Sequence, residues 1–294
     1  MSLRLTRRCL AACLLGLTAL AAAAQPVSVR DDRGTEHTLA APPQRIVTML
    51  PSLTESAWAL GVGQRLVGVD RYSSWPEDIA RLPHLGGLDD AQIEAIAALR
   101  PDVILASTAS RAMERLEALG FTVVYLKAET HADVRRTLEV IARLLGTPQA
   151  AGRVWADISR QIDAAAARVP ARMRGQTVYF EVGGGPYAAG TSSFIGETLA
   201  RLGLVNIIPA TLGPFPKLNP EFVVRAHPDL IMGVRSEQAA LLQRPGWSAL
   251  AAVRHQRLCG FDAAQYDTLV RPGPRMGTAA SWVADCLVRL SATP

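Results

Sequence analysis

Lysine is almost missing from this chain: Lys127 and Lys217 are the only two in 294 residues, and arginine supplies the other basic charge. No dense Lys/Arg block occurs, which excludes the electrostatic footprint of a nucleic-acid binder. Aromatic residues make up only 5%, so a group of them in neighbouring loops carries information. No Cys-x-x-Cys occurs, and no two of the five histidines (His37, His84, His131, His227, His255) stand at zinc-pair spacing. Local zinc motifs are thereby excluded, while ligands gathered from distant loops stay open. "GTSSFIG" lacks the G-x-S-x-G elbow of a serine hydrolase. The glycines of "EVGGGPYAAG" do not form G-x-G-x-x-G at a helix start; they suit a tight turn or close backbone approach to a bulky ligand. Beyond residue 25 no apolar run is long enough to span a bilayer.

The N-terminus has the three parts of a secretory signal peptide. Arg4, Arg7 and Arg8 precede an apolar run, and small residues lead to Gln25. Residues 1–24 are the predicted signal peptide, so the mature chain is expected to be exported. "LAAC", ending at Cys13, mimics a lipoprotein cleavage box, but the apolar run lies mostly after Cys13, and the match reads as chance. The leader carries three arginines and no acid, so the mature balance is 28 basic against 26 acidic residues. Cys259 and Cys286 are then the remaining cysteines. An oxidising compartment permits a disulfide between them, and two buried small apolar residues are the equal alternative.

Strand and helix patterns alternate along the chain. "VSVRDDRGTEHTLA" reads as a hairpin around Asp-Asp-Arg-Gly, and "RIVTML" as a buried strand. Ser52 or Thr54 is placed to cap the next helix, and Asp89 or Asp90 the helix "AQIEAIAALR". "ASRAMERLEALG" and "GWSALAAVRHQRL" read as helical throughout. Such alternation predicts parallel sheets covered on both faces. Between two such regions, Thr147 and Pro148 open a helix that runs to Val169, roughly 33 Å at 1.5 Å per residue. The expected organisation is an α/β lobe at 25–146, a linking helix at 147–170 and a second α/β lobe at 171–294. A continuous helix between lobes resists bending, so limited closure of the intervening cleft is expected.

One pattern occurs twice. Glu94 stands seven residues before Pro101-Asp102, and Glu221 seven before Pro228-Asp229, each pair entering an apolar run. Two helices with acidic first turns feeding buried strands account for the residue types but not for the matched offset. The stretch from "SLTESAWALG" to "RPDVIL", and with it essentially the whole mature chain, resembles the periplasmic substrate-binding proteins of ABC importers. The resemblance is to the helical-backbone class (class III), which carries vitamin B12, haem, ferric siderophores or metal ions, and within it to the vitamin B12-binding members. It implies two Rossmann-like lobes bridged by one long α-helix. It also implies that Glu94 and Glu221 dock on a membrane permease served by its ATPase.

Loops at the carboxyl ends of the strands should line the cleft between the lobes. They hold Tyr72, Trp75, Tyr187, Phe215, Tyr266, Asp267 and Arg271. Flat rings suit a large planar ligand, and packing of each ring on its own lobe is the alternative. The resemblance implies corrin contacts at Tyr72, Tyr187 and Phe215 and polar contacts at Asp267 and Arg271. Leu88 and Glu181 stand where B12 binders carry aromatics, which thins the aromatic lining. The resemblance implies a monomer without catalysis or cofactor of its own, whose transported ligand is a cobalt corrinoid or an iron chelate. Haem bound through Tyr72 or His84, and a siderophore facing Arg71, Lys217 and Arg271, remain open. So do a periplasmic metal-dependent enzyme component and an adaptor that binds a partner alone.

Overall fold

A computed structural model describes residues 26–183 and 185–292; the predicted signal peptide lies outside them. The hairpin forms as expected, Val27–Arg30 pairing antiparallel with Glu36–Leu39. Two parallel sheets follow. In the first, the order is Leu66–Val69, Ile46–Thr48, Val103–Ser107, Val123–Leu126. In the second it is Val205–Asn206, Thr177–Val182, Leu230–Val234, Leu258–Phe261, with Tyr187–Ala188 added antiparallel at the end of Thr177–Val182. Counted along the chain, each parallel sheet has the order second, first, third, fourth. The two lobes therefore repeat one doubly wound topology, whose ligand crevice lies beyond the carboxyl ends of the central strands.

The duplicated block follows from this repeat. Glu94 lies in the first turn of Ile93–Ala98, and Glu221 in the first turn of Pro220–Ala226. The residues before the two prolines, Arg100 and His227, have φ of 44° and 46°, a left-handed stop to each helix. Asp102 then accepts the N–H groups of Gln44 and Arg45 at 2.7 and 2.8 Å. Asp229 accepts Thr177 N and Oγ1, each at 2.8 Å. In each lobe the aspartate thus ties the incoming third strand to the start of the first.

The linking helix runs Pro148–Arg168 and buries Ile158, Ile162 and Ala165 on one stripe. These residues join a continuous apolar core that includes Leu138 and Ile141 of the first lobe with Leu199, Leu202 and Val283 of the second. The helix Met276–Ala292 lies along the linking helix. A Cβ on Gly277 would come within 2.4 Å of Gln161 Cβ, so glycine is what permits that approach. Cys259 and Cys286 form a disulfide, fastening the edge strand to this last helix.

Several local expectations are corrected. The helix Pro51–Ala59 has Leu50 at its N-cap; Thr54 bonds Thr48 and Ser73, and Ser52 gives no cap. Gln92, not Asp89 or Asp90, precedes Ile93–Ala98, because Asp90 is engaged by Gly87 N and Arg71. Helix in "ASRAMERLEALG" is confined to Glu114–Ala118, and "GWSALAAVRHQRL" divides into short turns at Trp247–Ala249 and Ala251–Arg254.

A polar seam joins the lobes on one side. Phe194 N donates to Glu129 O, and His131 N donates to Glu197. His131 Nε2 lies 2.8 Å from Thr198 Oγ1 and 3.1 Å from Phe194 O. The Thr198 hydroxyl donates to Phe194 O at 2.7 Å, so Nε2 is the ring donor and Nδ1 the titrating nitrogen. Burial holds the His131 pKa below the ordinary 6.5, although Glu197 opposes the shift. The unfolded chain takes up a proton that the folded ring refuses, so stability falls as pH drops below about 6.5. The loss levels off once the folded ring is protonated too. Thermal unfolding from pH 7.5 to 5 should show this slope in wild type and lose part of it in His131→Gln, which keeps the donor. Equal slopes would contradict the assignment. The disulfide closes a 27-residue separation. Replacing both cysteines by alanine should lower unfolding free energy by about 3 kcal/mol in a denaturant titration.

Candidate functional site: the inter-lobe cleft

A cavity of about 470 Å³ opens between the lobes. Leu50, Pro51, Ser52, Tyr72 and Ser74 line it from the first lobe, and Asp267, Val270, Arg271 and Pro272 from the second. The first group sits just beyond the strand Ile46–Thr48 and at the start of the helix Pro51–Ala59. The second lies in the last turn of Ala263–Leu269 and the segment after it. The fold thus supplies a crevice at the strand carboxyl ends, with a helix N-terminus facing into it.

Tyr72 is 61% exposed and Tyr187 48% exposed, both unusual for rings. A Cβ at Gly87 would approach the Tyr72 ring to 3.1 Å, so glycine lets that ring rest on the "LGGLDD" backbone. Tyr187 stands on the short antiparallel strand and bridges Lys217. Leu88 is half-buried in its loop, its carbonyl accepting from Ser110 Oγ at 3.4 Å. Trp75 is half-buried beneath Arg275, whose guanidinium carbon is 5.2 Å from the ring centroid. Phe215 packs on Phe194 with centroids 5.9 Å apart, against the core of its own lobe. Tyr266 donates from its hydroxyl to Glu181 O and is buried. Of the residues expected along the cleft, Tyr72, Asp267 and Arg271 therefore share the cavity, and Tyr266 is committed to Glu181. Trp75, Leu88, Tyr187 and Phe215 lie outside its lining. His84 is exposed.

Glu181, placed where an aromatic was expected, is buried and accepts from Nη1 and Nη2 of Arg244, with Tyr179 Oη donating to it at 3.1 Å. Burial and the adjacent Glu181 carboxylate push the Tyr179 phenol far up from its ordinary value.

One ion-pair cluster beside the cleft has no local signature in the sequence. Glu55, on the helix Pro51–Ala59, is 1% exposed. Arg275 of the second lobe donates to it from Nε at 2.9 Å and from Nη2 at 2.5 Å. Arg271 Nη1 adds a third contact at 3.2 Å. Arg271 Nη2 also donates to Tyr72 O at 2.9 Å and to Asp267 at 3.3 Å, while Arg275 Nη1 donates to Thr268 Oγ1 at 2.7 Å. A buried carboxylate paired bidentately and bonded again by a second arginine satisfies the condition for keeping its charge away from water. Behind it, Thr48, Thr54, Ser73 and Asp70 form a buried hydrogen-bonded chain, with Thr54 2.7 Å from both Thr48 and Ser73. Burial lifts the Asp70 carboxyl above its ordinary value, partly offset by Ser73 and Tyr72 N. Nothing local marks Glu55 in the sequence, because its partners stand 216 and 220 residues away.

Away from the cleft, Glu94 and Glu221 are both exposed. Neither carboxylate has an intrachain partner among the described residues. Among the same residues, no helix is long and apolar enough to cross a membrane.

The family described as "Periplasmic binding protein" matches residues 46–264. The vitamin B12-binding protein of Pectobacterium atrosepticum is 28% identical over 266 residues, which cover 86% of this chain and 91% of the relative. The crystal structure of the periplasmic vitamin B12 binding protein of Vibrio cholerae superposes with a TM-score of 0.70 at 25% identity, covering 85% of this chain and 98% of that one. A periplasmic haem binding protein from Pseudomonas aeruginosa gives the same TM-score at 28% identity, covering 85% and 92%. The family match takes in the first parallel sheet, the linking helix and all strands of the second, so this chain belongs to the periplasmic binding protein family.

Proposed function

We propose that this chain is the periplasmic substrate-binding component of an ABC importer, capturing cobalamin or a related corrinoid in the inter-lobe cleft. The observation that carries the importer role is the pair of exposed, unpartnered carboxylates at equivalent positions of two equivalent lobes. A two-fold permease offering one basic socket per subunit is matched by one acid per lobe, and such rim charges govern encounter and register. The chain acts by binding and release, without catalysis, as an exported monomer. Any cobalt or iron arrives inside the ligand.

The vitamin B12-binding relatives favour a corrinoid. A corrin ring overfills a cavity of about 470 Å³ and would spread beyond it across the exposed ring of Tyr72. Solved haem-binding neighbours support a second reading, a haem or ferric-siderophore carrier of the same class. Isothermal titration with cobinamide, cyanocobalamin, haemin and a ferric siderophore separates the two. A corrinoid should bind at micromolar Kd or tighter, and Tyr72→Ala should weaken it about tenfold, the scale of one lost ring contact. Silence with corrinoids and binding of haemin would transfer the assignment to the second reading. Reversing charge at both Glu94 and Glu221 should leave the Kd unchanged and abolish stimulation of the permease ATPase. Loss of ligand binding with docking intact would contradict the roles given to them.

A further inference from the structure

We propose that Glu55 is a specificity-determining residue: by neutralising Arg271 and Arg275 it makes the cleft select amide-bearing over carboxylate-bearing chelates. The proposal rests on the carrier reading above and concerns which member of that ligand class the cleft accepts.

Arg271 lines the cavity, and a guanidinium there would ordinarily attract a ligand carboxylate. Here it is held between Glu55 at 3.2 Å and Asp267 at 3.3 Å, while Arg275 is spent on Glu55 and Thr268. Two arginines and two acids cancel. Asp70 lies within electrostatic reach of Arg271 and adds no positive charge. The other basic groups expected from the sequence to face the cleft offer little compensation. Arg71 is paired with Asp90, and Lys217 is exposed to screening solvent. A ligand carboxylate at Arg271 must displace Glu55 from a buried, multiply bonded site, or compete with Asp267, an exposed acid that stays beside it and repels it; both are costly. An amide of the same shape meets neither cost, since Asp267 accepts its N–H and Arg271 can donate to its carbonyl without a change in net charge.

The test uses matched probes that differ in peripheral charge: cobinamide with cobyrinic acid, and haemin dimethyl ester with haemin. Each is titrated at low ionic strength into wild type, Glu55→Gln, Arg275→Gln and the Glu55→Gln/Arg275→Gln double variant. The local charge is then zero, plus one, minus one and zero. The affinity ratio of the anionic to the neutral probe should rise about tenfold in Glu55→Gln, the weight of one charge a few ångströms away. It should fall in Arg275→Gln and return to the wild-type value in the double variant. A generally damaged cleft would weaken both probes and would not follow the sign of the charge. Were Glu55→Gln not to fold, the difference between Arg275→Gln and the double variant still reads the effect of the residue 55 charge. Ratios that ignore the charge series, with probes binding, would overturn the role of Glu55 alone. If wild type binds none of the four probes, the corrinoid and haem readings are overturned, and this proposal with them.

Discussion

The bidentate grip of Arg275 on Glu55 is the constraint from which the cleft is built. It joins side chains 220 residues apart, one from each lobe, in a place that water scarcely reaches. Arg271 is drawn into the same carboxylate and fixes the backbone of the opposite wall through Tyr72 O. Trp75 is held beneath the Arg275 guanidinium. Remove the carboxylate and the wall loses its charge balance, since two guanidiniums would then face one remaining acid, Asp267. Across the molecule, the Glu129–Phe194 and His131–Glu197 contacts form a second polar seam. Between the seams runs the continuous apolar core of the linking helix. Hinge motion of any size would have to break polar contacts at one edge or shear packed side chains in the middle.

The duplicated architecture explains why two distant segments share a pattern. Each lobe places its first strand at the centre, brings the third beside it, and uses the aspartate of Pro-Asp to tie the two together. The glutamate seven residues before the proline is then set on an exposed first turn in both lobes. The offset matches because both helices serve the same topology. The exposure of both carboxylates without intrachain partners is what that topology alone does not require.

The elements that repeat locally were legible in the sequence. The hairpin, the alternating strands and helices, and the linking helix within a residue of its observed end follow from hydrophobic period, turn residues and the Thr-Pro start. Caps were less legible. Asp89, Asp90, Ser52 and Thr54 all have cap chemistry, but Asp90 and Thr54 have tertiary partners that outcompete the helix start. Phe215 could not be told from a ligand-facing ring, because only the fold brings Phe194 against it. Glu55 was illegible for the same reason in stronger form. It reads as one acid on a short, mostly apolar helix, and its meaning lies in arginines near the far end of the chain. Arg271 was readable as a cleft residue but not as one already neutralised there.

If the two polar seams and the shared core hold the lobes at a nearly fixed separation, ligand enters without large closure. Small-angle scattering from the mature protein, with and without saturating cobinamide, tests it most directly. Superimposable profiles and an unchanged radius of gyration are expected while titration confirms occupancy; a clear contraction on binding would rule out a fixed separation.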